Sequence, residues 1–168
     1  MNYKNRTKYF FFMIMMCIFL VGCGVIPQNN QKGNNVNGDK PESQKNILDL
    51  SGQNLKRVPN EVFEKTNLEE LDLSDNEIEG AIQAEVRHLT KLRVLDLSNN
   101  KMTGLPAEVG QLHYLEELNL SNNEFTGLPY ELGNLKKLKI LDISGNSYSE
   151  LDLNRIQEQL PVGVSIVR

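Results

Sequence analysis

One phrase returns along this chain at a nearly constant interval, and that interval restricts the fold more than any other feature. It reads Leu71-Asp-Leu-Ser-Asp-Asn76, Leu95-Asp-Leu-Ser-Asn-Asn100, Leu118-Asn-Leu-Ser-Asn-Asn123 and Leu141-Asp-Ile-Ser-Gly-Asn146, with a weaker copy, Leu48-Asp-Leu-Ser-Gly-Gln53, ahead of them. The leading leucines stand 23, 24, 23 and 23 residues apart. A fixed period of this size describes a coil that makes one strand and one return segment per turn. One such unit cannot bury its apolar side alone, so at least three must stack. Five copies are enough.

Inside each unit the pattern is L-x-x-L-x-L-x-x-N, as in Leu92, Leu95, Leu97 and Asn100. Leu95 and Leu97 are two apart and point to one side of an extended strand; Asp96 and Ser98 point to the other. Stacking the units side by side, in parallel, merges the leucines into one interior and leaves the polar columns facing water. Asn76, Asn100, Asn123 and Asn146 fall where the chain must turn and its backbone groups lose ladder partners. An amide side chain donates and accepts at once, so these four are predicted to form a structural asparagine ladder. Gln53 takes that place in the first unit, which marks a worn, exposed end.

An apolar residue follows two places later: Leu55, Ile78, Met102, Phe125 or Tyr148. Then comes Val58-Pro59, Leu105-Pro106 or Leu128-Pro129. Proline has a fixed φ and no N–H, which suits the start of a short return segment. Gly110 and Gly133 are expected to help that segment end and turn. The second unit is one residue longer, around Gly80 to Ala84, and the extra residue is expected to bulge outward while the strands stay in register. The last unit departs from the pattern. Leu151-Asp152 replaces Leu-Pro, residues 154–160 are predicted helical with Pro161 ending them, and Val164-Ser165-Ile166, 23 residues after Leu141, is predicted to be a sixth strand. The helix would cap the last turn from about residue 151, and Arg168 would blunt the outer strand against pairing with other chains. No distinct cap is visible at the other end.

These motifs resemble the leucine-rich repeat family over roughly residues 47–168. Leu105 to Leu112 and Leu128 to Leu135, both LP-x-E-[VL]-G-x-L, look like the Ras-group type of repeat, and the Gly-x-Ile stretch of the second unit looks more like the plant receptor type. The resemblance implies an α/β fold: a right-handed solenoid with a parallel concave sheet of about six strands and short irregular or helical convex segments. It also implies binding, usually of protein, and no catalysis of its own; no cofactor is expected.

The front of the chain reads as an address. Lys4, Arg6 and Lys8 precede an apolar run from Tyr9 to Val21, the arrangement of a secretory signal. The run is shorter than the ~20 residues of a membrane-spanning helix. Leu20-Val21-Gly22-Cys23 resembles the bacterial lipoprotein lipobox, which implies lipidation of the Cys23 thiol after removal of residues 1–22. The mature chain would then hold the membrane through its lipid, each buried CH₂ contributing about 0.8 kcal/mol. Cys17 would leave with the signal. Residues 23–46 are rich in Asn, Gln, Gly and Lys and are expected to form a flexible polar tether, with a root-mean-square reach of about 25 Å. The expected location is the bacterial cell envelope: the outer membrane in a diderm cell, a placement Gly24 favours, or the outer leaflet of the cell membrane in a monoderm one.

Charge and composition exclude several function classes. The formal charge is −4 and becomes −7 without residues 1–22, which argues against nucleic acid and against anionic headgroups. With Cys23 lipidated, no internal disulfide can form. No nucleophile–base pair, phosphate loop or metal motif is present, and His88 and His113, the only histidines, fall short of a metal site. No enzyme and no metal are expected.

The candidate partner surface follows from the alternation. Its first column is Ile47, Glu70, Val94, Glu117 and Ile140; its second is Asp49, Asp72, Asp96, Asn119 and Asp142; its third is Ser51, Ser74, Ser98, Ser121 and Ser144. Glu69, Arg93, Glu116 and Lys139 flank them. The binding candidates are Glu70, Asp72, Arg93, Val94, Asp96, Glu117, Asn119, Ile140 and Asp142. Acids alternating with small apolar residues suit a basic partner with apolar anchors. The leading reading is a lipid-anchored envelope protein that binds a protein ligand in adhesion or host interaction; the alternative is a non-enzymatic organiser of an envelope complex.

Overall fold

A computed structural model describes residues 46–168. The predicted signal segment, Cys23 and the tether up to residue 45 lie outside the described residues. The elements follow the repeat. Strands β1 (Ile47–Asp49), β2 (Glu70–Asp72), β3 (Glu79–Gly80), β4 (Val94–Asp96), β5 (Lys101–Met102), β6 (Glu117–Asn119), β7 (Ile140–Asp142) and β8 (Ser165–Val167) alternate with short 3₁₀ turns and one α-helix, α1 (Glu150–Gln157). Six of the strands form one parallel sheet in the order β1-β2-β4-β6-β7-β8. The order follows the chain, as a right-handed coil requires. β3 and β5 form a second, two-stranded ribbon.

The pairing register places Leu48, Leu71, Leu95, Leu118 and Leu141 side by side, with Ile166 completing the row. From Leu71 to Leu141 this column is buried, as are Leu73, Leu97, Leu120 and Ile143 two residues on. The longer second unit leaves this register intact: Glu70 still pairs with Val94. Its extra residue is absorbed beyond the strand, where Gly80 takes φ +72° and Ala81 is exposed.

Each ladder asparagine bonds to two coils. Nδ2 of Asn100 donates to the carbonyls of Leu97 and Ser98 in its own turn and to Leu73 O of the preceding coil, at 3.0–3.1 Å. Its Oδ1 accepts from Ile78 N at 3.0 Å. Asn76, Asn123 and Asn146 repeat this arrangement against Leu50, Leu97 and Leu120. Just before each of these asparagines the backbone turns left-handed, at Asp75 (φ +55°), Asn99 (+54°), Asn122 (+53°) and Gly145 (+69°), and Gly52 (+64°) does the same ahead of Gln53. Only Gly, Asn and Asp occupy that position, the residues that visit this region at least cost.

The return segments are 3₁₀ turns at Asn60–Glu64, Ala84–His88, Ala107–Gln111 and Tyr130–Asn134. Pro59, Pro106 and Pro129 precede three of them in extended conformation, and Gln83 precedes the fourth, its Nε2 bonded to Val58 O at 2.5 Å. Val62, Val86, Val109 and Leu132 point from these turns into the core.

Gly110 and Gly133 do not turn the chain, since neither has positive φ. They permit close approach: a Cβ on Gly110 would strike the Glu131 carbonyl of the next return, and one on Gly133 would lie 2.7 Å from Gln159 Cβ.

The C-terminal expectations need correction. The helix spans Glu150–Gln157, not residues 154–160, because Ser149 caps it by accepting from Asp152 N. Leu153 and Ile156 of α1 close the core. This helix is longer than a 3₁₀ return, so the last strand arrives two residues late: Leu141 pairs with Ile166, not Val164. A slip of two preserves the inward face, and Val164 and Ile166 still pack on the core. Arg168 does not guard the strand edge; its guanidinium reaches Gln157 Oε1 at 3.2 Å and Glu150 Oε2 at 3.6 Å, both on α1. At the opposite end Leu48, Leu50 and Leu55 are only partly buried.

Replacing Asn100 with Ala should cost about 1–3 kcal/mol, since it leaves the buried Ile78 N without an acceptor and takes one of two amide donors from each of Leu73 O and Leu97 O; urea unfolding measures this. Gly110→Ala should destabilise by a comparable ~1–3 kcal/mol through overpacking. Gly104→Ala, where a Cβ meets nothing within 4 Å, is the control and should be close to neutral.

Candidate functional site

The open face of the six-stranded sheet is built from side chains that alternate with the buried leucines. The register aligns Ile47, Glu70, Val94, Glu117, Ile140 and Ser165 in one row and Asp49, Asp72, Asp96, Asn119, Asp142 and Val167 in the next. Neighbouring side chains in a row stand about 4.8 Å apart, the strand spacing. Eight of the nine binding candidates lie on these rows. Arg93 does not; it precedes β4 and belongs to the rim where the strands begin.

The second row is committed to the fold. Oδ1 of Asp72 accepts from both the N–H and the hydroxyl of Ser74, at 2.9 and 2.6 Å. Asp96 holds Ser98, Asn119 holds Ser121, Asp142 holds Ser144 and Asp49 holds Ser51 in the same way. Asn119 Nδ2 also donates to Asp96 Oδ2 at 3.0 Å. These bonds pin the strand end just ahead of the left-handed residue. Sequence reasoning missed the pairing, although its signal was present: Asp or Asn stands two before Ser in every unit.

The first row is the more outward one. Val94 is half-buried, Glu117 is exposed and Ile140 keeps 40% of its surface in water. Glu70 is half-buried and already engaged in an interaction of its own. The row thus presents two small apolar side chains on either side of a carboxylate, over a floor of Asp and Ser oxygens.

The rim carries an ion-pair ladder. Arg93 Nε and Nη2 donate to the two Glu116 oxygens at 3.2 Å each, and Lys139 Nζ reaches Glu116 Oε2 at 2.7 Å. These two partners, Arg93 first and Lys139 second, hold the Glu116 pKa at about 2, against an ordinary value of 4.5. The same pairing raises the pKa of Arg93. Sequence analysis placed Glu69, Arg93, Glu116 and Lys139 next to one another without foreseeing that Glu116 would gather both cations.

Among the described residues two tyrosines are well exposed, and their surroundings differ. Lys137 Nζ lies 4.2 Å above the Tyr114 ring. Tyr130 OH donates to Asp152 Oδ1 at 3.0 Å and accepts from Arg155 at 2.9 Å, so it fastens the last return to α1. His88 and His113 are exposed on or beside return segments.

A family model described as "Leucine-rich repeat region" matches residues 71–158. Leucine-rich repeat-containing protein 3 of Danio rerio is 41% identical over 63 residues, which cover 36% of this chain and 24% of that protein. Among solved structures, a leucine-rich repeat protein of Leptospira interrogans is similar at 40% identity and TM-score 0.62, over 66% of this chain and 28% of that one. The plant peptide hormone receptor RGFR1, solved in complex with RGF2, is similar at 34% identity and TM-score 0.55, over 66% of this chain and 18% of that one. The chain therefore spans under a third of the length of each of these relatives.

The lowered Glu116 pKa makes a signed prediction. Its folded value lies below its unfolded one, so its stabilisation is complete above pH 4.5 and is lost as pH falls toward about 2. Glu116→Gln should lower stability near neutral pH by roughly 0.5–1 kcal/mol, the scale of partly exposed ion pairs, and flatten the stability profile within that acid window. Urea titrations of both proteins at several pH values measure it; parallel profiles would show that the ladder adds nothing.

Proposed function

The chain belongs to the leucine-rich repeat family, and from that premise we propose that it is a lipid-anchored protein of the bacterial envelope whose concave sheet holds a protein partner. The observation that carries the binding half is the outward row of the six-stranded sheet. Val94, Glu117 and Ile140 stand free of the bonds that occupy the Asp and Ser rows, and they offer apolar area on both sides of a carboxylate. A partner presenting a Lys or Arg between small apolar groups would satisfy both. RGFR1, which shares the fold, was solved with RGF2, and the family consists in general of protein-interaction modules rather than enzymes, which supports the reading.

The anchoring half rests on the sequence. The basic start, the short apolar run and Leu20-Val21-Gly22-Cys23 are in the order that export and lipidation require. A lipidated Cys23 followed by a polar segment of about 22 residues would set the repeat domain some 25 Å from the bilayer, on the outer membrane of a diderm cell or the outer leaflet of a monoderm one.

Two measurements separate these halves. In the native host, Cys23→Ala should lose incorporation of labelled palmitate; retained label ends the anchoring claim. Crosslinking on intact cells followed by pull-down of the full chain should capture a partner whose yield falls about tenfold in a Glu117→Lys, Ile140→Asp variant that still folds. Equal capture by parent and variant would move the binding surface off the concave sheet.

A further inference from the structure

The repeat domain is strongly acidic: residues 46–168 carry 12 Lys and Arg against 20 Asp and Glu, a formal charge of −8. Yet four of those cations gather on one rim of the sheet. Three successive buried leucines, Leu92, Leu115 and Leu138, are each bracketed by two outward side chains. Lys91 and Arg93 bracket the first, Tyr114 and Glu116 the second, Lys137 and Lys139 the third. Two cation pairs thus lie two coils apart, about 10 Å, with an aromatic ring and one carboxylate between them.

The four cations and the ring are accessible, while Glu116 keeps only 20% of its side chain exposed. Tyr114 is 53% exposed, and the side chains of Arg93 and Lys139 are 42% and 65% exposed. Lys91 Nζ rests on the neutral Asn67 Oδ1 at 2.7 Å, and Lys137 Nζ on the Tyr114 ring at 4.2 Å. Neither contact cancels a charge. Arg93 and Lys139 share the carboxylate of Glu116, and Arg93 also feels Glu69 and Glu70 of the preceding coil; the six side chains themselves keep a net charge of +3. Glu69, two residues after Asn67, marks where the positive stretch ends.

We propose that this rim is a second interaction surface, separate from the concave row, and that it takes an extended acidic peptide segment of a protein partner. The charge pattern selects that ligand. A carboxylate sits in the middle of the cations, and a ligand with evenly dense charge, such as a nucleic acid strand, meets it head on. Long polyanions are also repelled by the −8 of the whole domain, whereas a short peptide senses mainly groups within a Debye length, about 8 Å at physiological salt. Acidic residues at every third position of a chain in the polyproline II form lie on one face about 9 Å apart, close to the separation of the two cation pairs. The neutral residues between them pass over Tyr114, which adds apolar contact and a phenol donor. The pairing is charge-assisted and weakens as salt rises.

The test uses the full chain in nonionic detergent and a fluorescein-labelled nonapeptide with Asp at every third position, read by fluorescence anisotropy at low and physiological salt. The parent should bind saturably at low salt, and an Asn version of the peptide should not. Lys91→Gln with Lys137→Gln should weaken binding about tenfold. Lys56→Gln with Arg57→Gln, an equal charge change at exposed positions of the first coil, should leave it within about twofold. Circular dichroism melts confirm that both variants fold. Equal weakening by the two pairs, equal binding of the Asn peptide or no saturable binding by the parent would each overturn the proposal. Tighter binding of an oligothymidylate of equal charge would overturn it in favour of nucleic acid. None of these results bears on the concave row, which the Glu117 and Ile140 variant tests separately.

Discussion

The asparagine amide between coils is the contact on which the rest of the molecule depends. A strand of three residues has few ladder bonds, and the chain leaves each one by a sharp turn into the interior. There the backbone loses its partners and water is excluded. Asn76, Asn100, Asn123 and Asn146 supply donors and an acceptor at that point, and each reaches the coil before it as well as its own. The amide therefore closes a turn and clamps two turns together. Without it a buried N–H such as that of Ile78 or Met102 would have no acceptor, at about 1–3 kcal/mol each, and the carbonyls of Leu73 and Leu97 would each drop from two amide donors to one. The left-handed residue before each asparagine is the backbone's share of the same solution, since it swings the amide inward.

This arrangement also decides which side chains are available to a partner. The Asp row of the open face serves the turn, because each Asp or Asn oxygen holds a Ser two residues on. What remains outward is the row of Val94, Glu117 and Ile140 and, beyond it, the rim of Lys91, Tyr114, Lys137 and the Glu116 ladder. One sheet thus separates an acidic, partly apolar face from a basic edge. The separation follows from the repeat: positions on either side of a buried leucine stack into columns of their own, so charge can be sorted column by column without disturbing the core.

Much of this was legible beforehand because the two periods involved are local. Side chains alternate sides every residue along a strand, and coils recur every 23 or 24 residues, so the composition of Leu71–Leu141, of the asparagine row and of both open rows follows from counting. The cap was less legible. Its helix begins at Glu150 because Ser149 can cap it, and the extra length delays β8 by two residues. Counting could not detect the delay, because a shift of two leaves every side chain facing the same way. Gly110 and Gly133 were misread for a similar reason. Glycine suggests a turn, but here it marks the closeness of two returns, which is a property of neighbouring coils.

The amino-acid sequence by itself determined the coil, its parallel sheet, the buried columns and the side chains available on each face, because those depend only on spacing and on which residues avoid water. Tertiary structure alone decided which of the exposed groups are already spent. That Glu116 would collect Arg93 and Lys139, that Tyr130 would bind Asp152 and Arg155, and that Arg168 would fold onto α1 depends on where long side chains reach across coils. Those reaches are set by rotamers and distances of a few ångströms between residues some 11 to 25 positions apart, and no periodicity in the chain encodes them.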